Sequence, residues 1–142
     1  MSSAAERTLV ILKPDAVRRG LVGEILRRLE AKGYTLSAVQ LRTADADLLA
    51  AHYAEHEGKP FYPGLLAFMS SGPVVAAVAD GVRVIEGWRS LMGPTDPTAA
   101  PPGTVRGDLG RDWGQGSTEN LVHGSDSVES AQREIALWFP GL

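Results

Sequence analysis

The chain has 142 residues, 44% of them hydrophobic, a formal net charge of -3 and no cysteine. That is enough for one domain with a real core, and a mean hydropathy of -0.06 excludes a mainly disordered chain. The missing cysteines exclude a disulfide framework and a thiolate zinc site, the small net charge argues neither for nor against nucleic acid, and no apolar run approaches the ~20 residues a membrane helix needs.

Met1 to Arg7 carries Ser, Ala and charge without the apolar stretch of a secretory signal, so a soluble cytoplasmic protein is the expectation. Thr8 to Leu12 is a continuous apolar run and predicts a buried strand, ended by Lys13-Pro-Asp15, where Pro14 cannot extend a ladder. From Leu21, the residues Val22, Ile25, Leu26 and Leu29 share one helical face, and Gly33 supplies a C-terminal stop. Tyr34 to Arg42 suits a strand and Asp45 to His56 a second helix. After Pro60 and Pro63, Gly64 to Met69 reads as a short helical piece. Val74 to Ala79 is apolar on both faces and predicts a central strand. Val82 to Met92 reads as helix, and so does Ser127 to Phe139, with Asp126 and Glu129 resembling a capping box.

Between those last two helices lies Gly93 to Asp126, a stretch of 34 residues of which eleven are Gly or Pro. Only Leu121-Val122 looks like strand there, with His123 directly behind it. Long irregular segments in compact domains are usually functional or disordered. This one holds Thr95, Arg106, Asn120, His123 and Ser125, which is not the composition of a tether. The overall order contains β-α-β-β-α-β, which fits a ferredoxin-like four-stranded antiparallel sheet with helices on one face, although other α/β folds share such alternation.

Each chemical candidate has a plain alternative. His52-Tyr-Ala-Glu-His56 matches H-x-x-E-H, a zinc peptidase pattern, but the pattern is short and no third ligand is evident on a following helix. Solvated surface histidines are the better reading. No glycine-rich phosphate loop is present, so any nucleotide phosphate must be held by side chains. Lys13, at the end of a buried strand, and Arg89 and Arg106 are the candidates, each also readable as a surface charge. Phe61 and Tyr53 are either core or a platform for a flat ring. In Asn120-Leu-Val-His-Gly-Ser-Asp126 a neutral imidazole is available as a nucleophile near pH 7, and Gly124 leaves room beside it for a phosphoryl group. Ser125 and Glu134 are hydrogen-bonding partners for such a site, and a carboxylate on one ring nitrogen would fix which nitrogen attacks. On chemistry alone a capping loop with an incidental histidine fits equally well.

These residues resemble the nucleoside diphosphate kinase family. Asn120 to Asp126 reproduces its N-x-x-H-G-S-D signature. Thr8 to Asp15, Lys59-Pro-Phe-Tyr62, Ser71-Gly-Pro-Val74, Gly93-Pro-Thr-Asp-Pro97 and Gly103-Thr-Val-Arg-Gly-Asp108 follow the family's order along nearly the whole chain. The resemblance implies a single domain over residues 1–142 and a ping-pong transfer of the γ-phosphoryl group of ATP, or another nucleoside triphosphate, to a nucleoside diphosphate through His123. It implies Glu134 on the other ring nitrogen, Lys13 and Tyr53 beside the transferring group, and Arg89, Thr95 and Arg106 on the phosphates. It further places Asn120 on the ribose, Phe61 under the base with Leu65 next to it, and Ser125 and Asp126 in support. Mg²⁺ would be carried by the nucleotide's phosphates rather than by a protein cage.

The resemblance is to bacterial members and implies a homo-oligomer, a hexamer rather than a tetramer, with neither membrane nor obligatory nucleic acid among its partners. The chain departs from the family in Gly107 to Glu119, which is longer than the usual connection and carries Trp113. Two rival readings remain at this point. A non-catalytic nucleotide-binding module would show a lost nucleophile or lost phosphate ligands. A ferredoxin-like RNA-binding module would call for aromatics on central strands, and Val74 to Ala79 has none.

Overall fold

Two strands that are apolar on both faces organise the molecule. In the computed structural model, which describes residues 5–114 and 119–142, β1 (Ala5–Leu12) pairs antiparallel with β3 (Val74–Val82), Leu9 opposite Val78 and Val10 opposite Ala77. β2 (Thr35–Arg42) flanks β3 and β4 (Val122–Gly124) flanks β1, both antiparallel, giving the order β2-β3-β1-β4. This is the four-stranded antiparallel sheet of the ferredoxin-like class, with β3 central as its composition predicts.

The side chains of β1 and β3 alternate between two cores. Val10, Leu12, Val75, Ala77 and Ala79 face one, with Ile25 and Leu29 of α2 (Val22–Lys32) and Trp88 of α5 (Val84–Met92). Leu9, Ile11, Val74, Ala76 and Val78 face the other, with Leu49 of α3 (Ala46–His52), Met69 of α4 (Tyr62–Met69) and Ile135 and Trp138 of α7 (Val128–Trp138). Helices therefore cover both faces, not one. The reason is hydrophobic: a strand apolar on both sides exposes a row of Val, Ile and Leu unless both sides are covered.

The helix ends follow local chemistry with some corrections. α2 stops at Gly33, whose φ of 105° lies in the left-handed region. The helix expected over Asp45 to His56 breaks at Tyr53 into α3 and a 3₁₀ turn, Ala54–His56. The cap of α7 is Ser127, whose side chain accepts the Ser130 N–H, so Asp126 is not the capping residue. The stretch Gly93 to Asp126 is less irregular than it reads. It contains α6 (Val105–Leu109), and His123 lies inside β4, paired with Ile11, rather than behind a strand. Residues 115–118 of the enlarged connection lie outside the described residues.

Candidate active site

α1 (Pro14–Arg18) begins directly after β1, with Lys13 as its extended N-cap and Pro14 in the first turn. The Lys13 backbone N–H donates to the Leu121 carbonyl at 2.8 Å, and its Nζ donates to Asn120 Oδ1 at 2.8 Å. Across from it, the Thr104 side chain caps α6 by accepting the Gly107 N–H at 2.9 Å, which turns Arg106 inward. Arg106 is 7% exposed, not a surface loop residue. Its Nε, Nη1 and Nη2 donate to the carbonyls of Asn120, Gly93 and Val122 at 3.0, 2.9 and 2.6 Å. A guanidinium has five N–H donors, so two remain for a ligand.

These groups surround a cavity of about 260 Å³ lined by Lys13, Arg89, Thr95, Arg106, Asn120 and His123, together with Gly93, Pro94 and Gly124. Among the described residues no carboxylate lines it. Burial, with Arg106 nearby, pulls the Lys13 ammonium down to about 8. Burial and Arg89 likewise bring Arg106 down to about 10. Desolvated cations of this kind gain from an anion that restores their charged form, so the cavity suits a phosphate chain.

His123 meets the cavity from β4. Its Nε2 lies 2.9 Å from Glu134 Oε1, and the same carboxylate oxygen accepts the Ser125 hydroxyl at 2.8 Å. Ser125 Oγ in turn accepts the Leu9 N–H at 3.1 Å, which ties the group to β1. Burial works against the Glu134 charge, but the His123 hydrogen bond and charge and the Ser125 hydroxyl hold its carboxyl below the usual range. An ionised carboxylate only accepts, so the hydrogen between them sits on His123 Nε2, and in the neutral ring Nδ1 keeps its lone pair. Gly124 serves a different purpose from the one its size suggests. A Cβ there would lie 2.6 Å from Trp88 Cδ1, so the missing side chain makes room for the indole, whose Nε1 donates to the His123 carbonyl at 3.1 Å.

His52 overturns the reading as a solvated surface histidine. It is 3% exposed, its ring lies 4.9 Å from that of His123, and its Nδ1 accepts the Trp138 Nε1–H at 3.0 Å. Burial, reinforced by His123, drops its pKa to about 3, so it is neutral at ordinary pH. One donor atom each from His52, His123 and Glu134 lie within 4.8 Å of one another; His123 Nε2 is already held by Glu134, and His52 Nδ1 by Trp138. His56 sits on the 3₁₀ turn and is not part of that group. Sequence reasoning missed His52, and a histidine in an otherwise apolar Ala/Leu helix was the available signal.

The remaining candidates lie outside the cavity wall. From His123 a row of rings runs through His52, then Tyr53 at 4.5 Å, His56 at 6.1 Å and Phe61 at 5.3 Å, each measured from the ring before it. Tyr53 is 8% exposed, and burial, with the Glu134 charge, raises its hydroxyl above the usual range. Phe61 is 53% exposed with Lys59 Nζ 6.0 Å from its centroid, and Leu65 is partly buried in the α4 packing. Asp126 lines a neighbouring groove with Arg89, Pro94 and Thr104.

A family model described as "Nucleoside diphosphate kinase" matches residues 6–142. The chain belongs to the nucleoside diphosphate kinase family. It is 66% identical over 138 residues to the nucleoside diphosphate kinase of Rhodococcus jostii, covering 96% of both chains. Against that of Mycobacterium tuberculosis it is 61% identical over 137 residues, covering 96% of this chain and 98% of the relative. Among solved structures, a halophilic nucleoside diphosphate kinase from Halobacterium salinarum in complex with CDP superposes with a TM-score of 0.90 at 47% identity, covering 96% of this chain and 89% of that one. The bacterial character of the resemblance agrees with the Rhodococcus and Mycobacterium relatives, and the fold with the solved structure.

Proposed function

We propose that the chain carries the γ-phosphoryl group of ATP, or another nucleoside triphosphate, to a nucleoside diphosphate in two steps through His123 Nδ1. Membership of the family makes the chain a phosphotransferase. The observation that carries the mechanism is the His123–Glu134 contact of 2.9 Å, which occupies Nε2 and leaves the Nδ1 lone pair for attack beside three cations. In the first step Nδ1 attacks the γ-phosphorus, the N–P bond forms, and the bond to the bridging oxygen breaks so that the diphosphate leaves with its electron pair. In the second step a terminal oxygen of the acceptor diphosphate attacks the same phosphorus and His123 leaves. The Nε2 proton stays against Glu134, whose negative charge offsets the positive charge the ring acquires.

Lys13, Arg89 and Arg106 neutralise the phosphates, Thr95 and Asn120 border the sugar and phosphate end, and catalysis is mainly positioning and charge stabilisation. Tyr53 backs the row of rings, Phe61 offers its exposed face to the base with Leu65 behind it, and Ser125 steadies Glu134. Asp126, in the neighbouring groove beside Arg89 and Pro94, keeps a supporting part, reaching the nucleotide's Mg²⁺ only through water. The substrate enters as its Mg²⁺ complex, which suits a cavity wall that has cations but, among the described residues, no carboxylate.

A single cytoplasmic domain assembled as a homo-oligomer, a hexamer by the resemblance, completes the reading. No helix of the described residues is long and apolar enough to cross a membrane. β2 is an edge strand with Val39 and Leu41 at 53% and 66% exposure, a surface suited to a second copy. The test is His123→Ala, which should abolish phosphoryl transfer while nucleotide still binds. Retained transfer by the folded variant sinks the mechanism.

A further inference from the structure

A buried carboxylate that the transfer step does not use lies next to the cavity. Asp15, in the first turn of α1, is 2% exposed. Its Oδ2 accepts the Leu121 backbone N–H at 3.2 Å, and its Oδ1 has no partner among the described residues. Burial raises its pKa, against the pull of Lys13. A half-satisfied buried acid is costly and calls for a reason.

Leu121 is the second anomaly. It has a φ of 74°, in the left-handed region that a branched, fully buried leucine rarely adopts. It is the middle of a three-residue turn closed by the Val122 N–H on the Asn120 carbonyl at 2.8 Å, a turn of strained hand. Two contacts clamp it from outside: Lys13 N–H to the Leu121 carbonyl at 2.8 Å, and the Leu121 N–H to Asp15. The residues on either side supply the phosphate end of the cavity. The Asn120 and Val122 carbonyls accept from Arg106, and Asn120 Oδ1 accepts from Lys13.

We infer that Asp15 is a positioning residue for phosphate binding: by holding the Leu121 amide it fixes the strained turn that seats Arg106 and joins Asn120 to Lys13. Strain of this kind persists only where the surroundings over-determine it, and Asp15 is the side chain that does so here. The carboxylate does not touch the nucleotide. It acts through the two cations, and the inference rests on the reading of this cavity as a phosphate site.

The test uses the full chain and ADP as the probe, with circular dichroism to confirm folding. Asp15→Ala removes the acceptor and should weaken ADP at least tenfold, while Asp15→Asn keeps an oxygen for the Leu121 N–H and should stay within threefold of the parent. In an Arg106→Ala background, Asp15→Ala should cost clearly less ADP affinity than in the parent, because one of the two cations through which it acts is gone. An equal loss in both backgrounds, or no loss in the parent, overturns the inference. If Asp15→Ala does not fold, the Asp15→Asn arm decides: binding within threefold upholds the role and a tenfold loss overturns it. Phosphoryl transfer by the unaltered chain is measured alongside. Its absence defeats the reading of the site, whereas transfer with unchanged ADP affinity in Asp15→Ala defeats the Asp15 role alone.

Discussion

Lys13, Arg106, Asn120, Ser125 and Glu134, the polar groups gathered round His123, are each at least nine-tenths buried and tied to one another or to backbone carbonyls. Phe61, proposed to meet the base, is 53% exposed and stands against His56 and Lys59. Burying cations and a carboxylate is costly unless each is hydrogen-bonded, and the fold meets that cost at the phosphate end alone. A site organised this way spends its precision on what all nucleotides share. It leaves the part that differs among them to an open aromatic face, which any base can stack on.

The largest effect belongs at the preorganised end. Glu134→Ala should lower kcat by ~10²–10⁴, since the imidazole loses the group that fixes its tautomer and offsets its charge. Steady-state kinetics with ATP and a second diphosphate would measure it, and a loss confined to KM would show that Glu134 binds rather than orients. A smaller effect comes from pH. Lys13 is held down to about 8 in the free protein, and a bound phosphate favours its charged form. Nucleotide affinity should therefore fall as pH rises above about 8, up to tenfold per unit, and the fall should vanish in Lys13→Ala. A flat affinity between pH 7 and 9 contradicts that placement of the charge. The smallest effect belongs at the open end, where Phe61→Ala should raise KM roughly fivefold, about 1 kcal/mol of stacking, with kcat nearly unchanged. A loss as large as that of Glu134→Ala would remove the contrast between the two ends.

The sequence was most informative where local chemistry decides structure. The double-sided apolar runs of β1 and β3, the Gly33 stop and the signature around His123 could all be read directly, whereas the order of elements gave the fold class and only the resemblance singled out its topology. What could not be read depended on contacts between distant segments. Arg106 looks like a loop cation because the three carbonyls that bury it come from Gly93, Asn120 and Val122. His52 looks solvated because the indole that neutralises its burial lies 86 residues away. The five residues of α6 are too few for a periodic signal among so many Gly and Pro, and only the Thr104 cap marks them. Gly124 was read as space for a ligand, whereas the space is filled by Trp88 of α5.

The central claim is that His123 carries the phosphoryl group on Nδ1 because Glu134 holds Nε2. Mixing the protein with ATP, quenching at alkaline pH to preserve phosphoramidates, and recording ³¹P and proton–nitrogen correlation spectra of the modified ring tests it directly. The account predicts one phosphoryl group on His123, bonded to Nδ1, that leaves when a nucleoside diphosphate is added. Phosphate on Nε2, on another residue, or a stable adduct that the diphosphate does not discharge would contradict it.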